Sequence, residues 1–455
     1  MNDPSVVISN PIVALAAFCG AILLLLLLIT KMKWHVFLAL LLPILLFGVI
    51  PGVERNNFIS AFETGFGRTL GKIGVVIVLG SILAEALKQT GAIRVITSSM
   101  VNLVGAKRMP LALTLAGFIL GMAIFSDVAY VILNPLVHSA AKAMGVSIAT
   151  MSTGLIGALQ LTHAIVPPTP GPLAAAALLG ADLGSTIFYG SIACLVGSLA
   201  SWLWGQYVVG PQISTPPSGE FSAETLLDET QSADLPGTFS SYAPIAIPIL
   251  LISAQSVANS ILDDGNVVRS VLSYVGWPVV ALGIGVWLAF RNVTTRDDRK
   301  KATGQWVEDG LRVSAMILLV TGLGGSLSAI LKGTSAVAII AGFFQDSGLP
   351  AIFLPFVLGI IGNMITGSST VGVITAASLS APMLDTMPIS PEAAMLSGGC
   401  GSVIFKYVNS SYFWVCTSLS GLNVKDALLS YGGATCVGGI ASFTTVYVMW
   451  AIGLI

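Results

Sequence analysis

Long runs of apolar residues, separated by short polar segments, make up most of this chain. A helix that crosses a membrane needs about 20 mainly apolar residues, so each sufficiently long run predicts one span. On this pattern we expect spans near residues 12–30, 34–50, 70–88, 186–207, 243–262, 274–290, 311–331 and 428–450. The chain is therefore predicted to be an all-α polytopic membrane protein.

Two further stretches, residues 110–184 and 350–416, are apolar but are interrupted by Gly, Pro, Ser and Asn. Each contains two polar breaks, at 125–128 (FSDV) and 162–172 (THAIVPPTPGP), and at 366–370 (TGSST) and 407–411 (YVNSS). Proline disrupts a helix, and non-helical backbone is tolerated at membrane depth only where it is buried in protein or lines a cavity. We therefore expect two re-entrant hairpins with broken helices, in addition to about ten full spans.

The two halves of the chain resemble each other, which indicates an internal duplication. One ordered set recurs 242 positions later, with Tyr189, Gly190, Cys194 and Gly197 matching Tyr431, Gly432, Cys436 and Gly439. A second set recurs 244 positions later, with Leu83, Leu87, Lys88, Thr90 and Ala92 matching Leu327, Leu331, Lys332, Thr334 and Ala336. We expect a first transmembrane repeat at 1–207, a polar inter-repeat loop at 208–241 and a second transmembrane repeat at 242–455. The count of spans between equivalent points is odd, which predicts inverted repeats, a plan common in secondary transporters.

Composition narrows the class of protein further. Only 9% of the 455 residues are charged and the net charge is −1, which excludes a water-soluble enzyme and gives no basic surface for nucleic acid. The five cysteines lie in or beside apolar runs without a CxxC pair, so we expect no disulfide, metal site or other cofactor. No HExxH, Walker A or G-x-S-x-G motif occurs, which favours a transporter driven by an ion gradient over an enzyme or an ATP-driven pump.

The helix breaks supply the candidate binding site. Helix N-termini that a break frees present N–H groups and a partial positive charge, which suits a carboxylate. The candidate substrate-binding residues are Ser126, Asp127, Thr162, Thr169, Gly171, Gly367, Ser368, Ser369, Thr370, Asn409 and Ser410. Asp127 and His163 are the candidates for carrying a proton, because an intramembrane carboxylate often marks a proton relay and histidine changes charge near neutral pH. Lys406 either attracts the anion or extends its charge to an interface.

Each motif also has a structural interpretation. The PPTPGP segment is also compatible with a surface loop between two spans, and TGSST with a small-residue face for helix packing. Residues 409–411 are compatible with an ordinary polar turn. Asp127 and His163 are compatible with buried side chains that only hydrogen-bond to the fold.

At these motifs the chain resembles the gluconate:proton symporter family of bacterial inner-membrane permeases. The resemblance rests on residues 162–172, on ADLGSTIFYG (181–190), on GSSTV (367–371) and on VNSSYFW (408–414), whose order and spacing hold over nearly the whole chain. It implies proton-coupled symport of a small hydroxylated carboxylate into the cell, across the bacterial inner (plasma) membrane. It also implies a homodimer in the lipid bilayer, in which a transport domain moves against a scaffold as an elevator.

The chain departs from the gluconate-type pattern at several expected contact positions. Members of that type tend to have Glu at Asp127, His at Thr169, and Asp-Gly-Gly at positions 410–412. A smaller hydroxy acid is therefore as good a candidate as gluconate. A sodium-coupled carboxylate or amino-acid symporter of the same fold is the first alternative, and an ion channel or a non-transporting membrane scaffold is the second.

Overall fold

The computed structural model describes residues 11–32, 34–50, 53–217, 235–263, 265–293, 295–332, 339, 348–408 and 410–455. All regular secondary structure in these residues is helical. Asn409 and most of the acidic inter-repeat loop lie outside the described residues. The flanking helices reach Gln212 on one side of that loop and begin again at Thr238 on the other.

In the first half of the chain helices cover the predicted apolar runs, although the helix over the run 70–88 begins earlier, at Arg55. They are α1 (Pro11–Thr30), α2 (Val36–Phe47), α3 (Arg55–Gln89), α4 (Ala92–Val104), α5 (Met109–Leu120), α6 (Ser126–Met144), α7 (Ile148–Ile165), α8 (Pro170–Leu179) and α9 (Leu183–Trp204). A π-helical turn, Gly205–Val209, extends α9.

The second half repeats this alternation of long and short helices. Its members are α10 (Thr238–Ile261), α11 (Val267–Val275), α12 (Pro278–Arg291), α13 (Arg296–Thr303), α14 (Gln305–Lys332), α15 (Phe353–Thr366), α16 (Ser369–Ser380), α17 (Pro391–Gly401), α18 (Ser411–Leu419) and α19 (Gly433–Ala451). A short turn, Val424–Ala427, and a π-helical turn, Leu428–Gly432, lead into α19.

Several described helices are long and apolar enough to cross a membrane. Six segments qualify by length and composition, one of which, Ile148–Leu179, includes the break between α7 and α8, and the pair α11 and α12, bent by 60°, makes a seventh if it forms one span. The all-α polytopic class is therefore confirmed. The number of about ten spans, the inverted repeats and the two re-entrant hairpins stay predictions.

Helix α7 occupies the centre of the molecule, and every one of its residues is buried. It begins at Ser147, whose hydroxyl accepts a hydrogen bond from the Thr150 N–H at 3.1 Å and caps the helix. Helices α5, α6, α9, α17 and α19 pack around it. Burial continues from Val166 to Pro172, so the PPTPGP segment is not a surface loop.

Glycines allow two pairs of long helices to pack closely. Helices α3 and α14 meet at Gly65 and Gly325, where a Cβ on Gly65 would lie 2.5 Å from the Gly325 carbonyl oxygen. Helices α9 and α19 meet at Gly197 and Gly438, where a Cβ on Gly197 would lie 2.6 Å from the Gly438 carbonyl oxygen. Small residues at such crossings let backbones approach, which is how membrane helices gain packing contacts. Both crossings join the first half of the chain to the second.

Candidate functional site

The structure interrupts helices at all four predicted breaks, which separate α5 from α6, α7 from α8, α15 from α16 and α17 from α18. Gly367 ends α15 with φ of 71°, a left-handed conformation that glycine adopts without strain. Ser368 then caps α16, and its Oγ accepts a hydrogen bond from the Val371 N–H at 3.4 Å. TGSST is thus a helix break, rather than only a face for helix packing.

Three of the breaks open onto one cavity of about 280 Å³. Helices α6, α16 and α18 all begin there, so the N–H groups of their first turns lie at the cavity wall. Eight predicted site residues line it, namely Ser126, Asp127, His163, Gly367, Ser368, Ser369, Thr370 and Ser410. Apolar residues of α14, Val313, Met316, Ile317 and Val320, form another part of the wall.

Gln160 is a lining residue that the sequence reasoning missed. It lies on α7, three positions before His163, and is 2% exposed. Its Nε2 donates a hydrogen bond to Ser369 Oγ at 2.6 Å, which joins α7 to the first turn of α16. The available signal was a lone amide in an apolar run, one helical turn from a residue already singled out. Phe125, Ser411 and Tyr412 also line the cavity without having been selected.

Lys406 brings a buried positive charge to the cavity. The residue is 3% exposed, and its Nζ donates a hydrogen bond to the Gly367 carbonyl oxygen at 3.0 Å. No carboxylate of the described residues forms a salt bridge with it. The neighbouring Phe405 has φ of 56°, an unusual conformation for a residue with a side chain, and such strain clusters at functional sites. Burial excludes the alternative that this ammonium reaches an interface.

The two candidate proton carriers occupy the same cavity. Asp127 lies in the first turn of α6, where its Oδ1 accepts a hydrogen bond from the Val128 N–H at 2.9 Å. The His163 ring packs against Phe125 with 5.3 Å between ring centroids. His163 is 6% exposed, and its Nδ1 has no hydrogen-bond partner among the described residues. A buried ring nitrogen without a partner is free to bind a substrate, a water molecule or a proton.

Three predicted contact residues lie behind the cavity wall instead of lining it. Thr162 Oγ1 donates to the Ala158 carbonyl oxygen at 2.8 Å, a bond within its own helix. Thr169 Oγ1 lies 2.9 Å from the His163 carbonyl oxygen, so that its hydroxyl holds the α7–α8 break together. A Cβ on Gly171 would lie 3.1 Å from Thr370 Cα, which indicates a role in packing a lining residue. Asn409 lies outside the described residues, and its contact with substrate hydroxyls stays a prediction.

Comparison with known proteins places this architecture in a family. The model of the GntP family permeases matches residues 12–455. This chain belongs to the GntP permease family. Relatives include the high-affinity gluconate transporter of Escherichia coli (strain K12), 30% identical over 90% of this chain and 93% of the relative. The D-serine transporter DsdX of the same strain is 31% identical over 94% of this chain and 96% of the relative.

Membership of the family confirms the predicted resemblance and shows that the chain is a transporter, not an enzyme. It also confirms the expected location as a multi-pass protein of the inner membrane. The solved structure of Neisseria gonorrhoeae MtrF has a similar fold, with a TM-score of 0.63 over 92% of this chain and 96% of that one. At 14% sequence identity, this similarity concerns the fold alone.

Proposed function

We propose that this permease carries a small hydroxylated carboxylate, an aldonate such as gluconate or a smaller hydroxy acid, into the cell together with a proton. The observation that supports it most is Lys406. A buried cation without a carboxylate partner is costly, and a bound anion offsets that cost. A substrate carboxylate between Lys406 and the first turns of α16 and α18 would meet one ammonium and two helix N-termini.

The remaining polar groups of the cavity suit the rest of such a substrate. Gln160, Ser126 and Ser410 offer an amide and hydroxyls, which both donate and accept hydrogen bonds as sugar hydroxyls require. Asp127 and His163 share this cavity, so each is placed to take up a proton beside the bound anion.

We also propose that the two repeats are inverted and that alternating access arises from movement of one repeat-derived domain as an elevator, within a homodimer. Related helix starts support the duplication, because α6 and α16 begin 243 residues apart and α8 and α18 begin 241 residues apart. Packing is reciprocal as well, since α8 contacts α16 and α6 contacts α18. An exchange of equivalent partners is what a two-fold relation between repeats produces.

Uptake into proteoliposomes tests the coupling. With an inward proton gradient, accumulation of the substrate should collapse when a protonophore is added and should persist when potassium replaces sodium. Sodium-dependent accumulation that survives the protonophore would overturn the proton assignment and favour the sodium-coupled alternative. Absence of any accumulation against a gradient would point to a channel or a scaffold.

A second candidate substrate is a small hydroxy amino acid, because Asp127 and Lys406 place opposite charges in one cavity. A zwitterion could set its carboxylate against Lys406 and its ammonium against Asp127. The relationship to the D-serine transporter makes this chemistry worth testing. A thermal-shift screen of aldonates, glycerate, hydroxybutyrates and both enantiomers of serine decides between the two classes, since only the matching class should raise the Tm.

A further inference from the structure

Behind the binding cavity, buried polar side chains continue along α6, α7, α18 and the π-helical turn Leu428–Gly432 toward one end of the molecule. We call this set the polar column, and its members are Tyr130, Asn134, Ser152, Tyr412, Ser420 and Tyr431. Each is at most 8% exposed. Their spacing follows helix faces, because Tyr130 and Asn134 are four residues apart on α6, and Tyr412 and Ser420 eight residues apart along α18 and its cap.

The polar column starts at the cavity and ends near the surface. Tyr412 lines the cavity at the beginning of α18. The nine residues of α18 advance about 13 Å, and beyond its cap, Ser420, the chain emerges in a turn where Gly421 and Asn423 are exposed. Helix α6 runs alongside toward the exposed Lys142.

Ring contacts join the three tyrosines of the column, and a hydroxyl contact joins Tyr130 to Ser420. The Tyr412 and Tyr431 rings are 5.3 Å apart and the Tyr412 and Tyr130 rings 6.4 Å apart, measured between centroids. Tyr130 Oη then lies 2.5 Å from Ser420 Oγ. At the same level His138 Nε2 lies 2.8 Å from the Leu419 carbonyl oxygen, which ties α6 to the end of α18.

Three polar atoms of the column lack a partner with good hydrogen-bond geometry among the described residues, although Ser410 lies beside Tyr431 and Tyr130 beside Ser152. They are Tyr431 Oη, Ser152 Oγ and Asn134 Oδ1. A buried polar atom left unpaired costs about 1–3 kcal/mol. Internal water molecules usually satisfy such groups, typically with about three hydrogen bonds each. The unpaired atoms therefore indicate positions where water completes the chain of hydroxyls.

We propose that the polar column is the route by which the proton leaves the cavity toward the turn after Ser420. The proposal rests on the proton coupling proposed above. A carboxyl group at Asp127 would give its proton to the first water, and each following water or hydroxyl accepts one proton while donating its own. Every hydroxyl ends in its original form, Asp127 ends as the carboxylate, and one proton appears at the far end. The titratable groups that border this route are Asp127, His138 and Cys416.

Tyr→Phe substitutions test the route because they remove the hydroxyl and keep the packing of the ring. Tyr431→Phe and Tyr130→Phe remove column hydroxyls, and Tyr189→Phe is the matched control, since Tyr189 is the repeat counterpart of Tyr431 and lies on α9, outside the column. Two rates are measured in proteoliposomes. One is substrate-driven proton entry, followed with a trapped pH-sensitive dye, and the other is substrate counterflow at equal pH, which needs no net proton movement.

We expect Tyr431→Phe and Tyr130→Phe to slow proton entry on the order of tenfold, because positioned acid–base groups commonly contribute 10²–10⁴-fold and water replaces part of that contribution. Counterflow should stay at the wild-type rate. Replacing the solvent H2O by D2O should slow proton entry more in these two variants than in Tyr189→Phe. Unchanged proton entry in both variants would overturn the route, as would an equal slowing of proton entry and counterflow. A wild-type protein that transports substrate without proton entry would instead remove the proposed coupling, and the route with it.

Discussion

Lys406 is the residue whose replacement tests the binding site most directly. Its ammonium is buried and donates a hydrogen bond to the Gly367 carbonyl oxygen at 3.0 Å. Glutamine at this position keeps a donor for that carbonyl and removes the charge. If Lys406 holds the substrate carboxylate, Lys406→Gln should weaken binding of an acid far more than binding of an uncharged analogue.

The magnitude follows from the kind of contact. A hydrogen bond to a charged group contributes about 1.5–3 kcal/mol, and each 1.4 kcal/mol changes a dissociation constant tenfold. The Kd for the acid should therefore rise by about 10-fold to 150-fold. The stability of the empty protein should not fall and can rise, because the variant no longer buries a cation that lacks a carboxylate partner among the described residues. The Tm of the empty protein should be unchanged or higher.

The assay compares two ligands on two variants. Calorimetric titration of the purified permease gives the Kd for the transported acid and for its amide, and Lys425→Gln serves as the control because Lys425 is exposed outside the cavity. The ratio of the Kd for the acid to the Kd for the amide should rise in Lys406→Gln and stay constant in Lys425→Gln. An equal loss of affinity for acid and amide, or an unchanged Kd for the acid, would refute the assignment of Lys406 to the carboxylate.

Three further changes have defined outcomes. Asp127→Asn should abolish accumulation of substrate against a gradient in proteoliposomes while counterflow persists, and unchanged accumulation would remove Asp127 from the coupling. Gln160→Leu removes the donor that lies 2.6 Å from Ser369 Oγ and should raise the KM for uptake about 2-fold to 10-fold. An unchanged KM would count against a role of Gln160 in binding the substrate. Gly65→Ala places a Cβ 2.5 Å from a carbonyl oxygen of α14 and should lower the stability of the protein by about 1–3 kcal/mol, measured as a lower Tm in detergent. Gly71→Ala is the control, because its Cβ would contact no neighbouring atom within 4 Å and its Tm should not change. Equal effects of the two substitutions would contradict the close packing of α3 and α14.

The helix breaks could be predicted from sequence because their causes are local. Proline lacks an N–H, and clusters of Gly and Ser favour caps and left-handed turns, so 162–172 and 366–370 interrupt helices for reasons that tertiary structure does not change. Residues at the predicted breaks then line the cavity, as Ser126 at 125–128 and Ser368 at 366–370 do.

Whether a residue within a continuous helix lines the cavity could not be predicted in the same way. Whether Gln160 points at the cavity depends on the rotation of α7 and on which neighbours surround it, and α7 is buried on every side. The pattern of apolar and polar residues therefore does not show which face of this helix points to the cavity. Thr169 shows the opposite error, because its hydroxyl bonds to the Val166 carbonyl oxygen at 2.8 Å, and a sequence does not show that a hydroxyl is already occupied by nearby backbone.

The charges in the cavity give a physical reason why a proton should accompany one class of substrate and not the other. With Asp127 ionised and His163 neutral, the cavity carries one negative charge, on the half-buried Asp127, and one positive charge, on the buried Lys406, without a salt bridge between them among the described residues. A bound carboxylate adds a negative charge to this cavity, and one proton on Asp127 or His163 restores neutrality. A zwitterionic amino acid adds no net charge and needs no such proton. Movement of one proton with each substrate molecule therefore favours the hydroxy acid, and uptake that is independent of the proton gradient favours the amino acid.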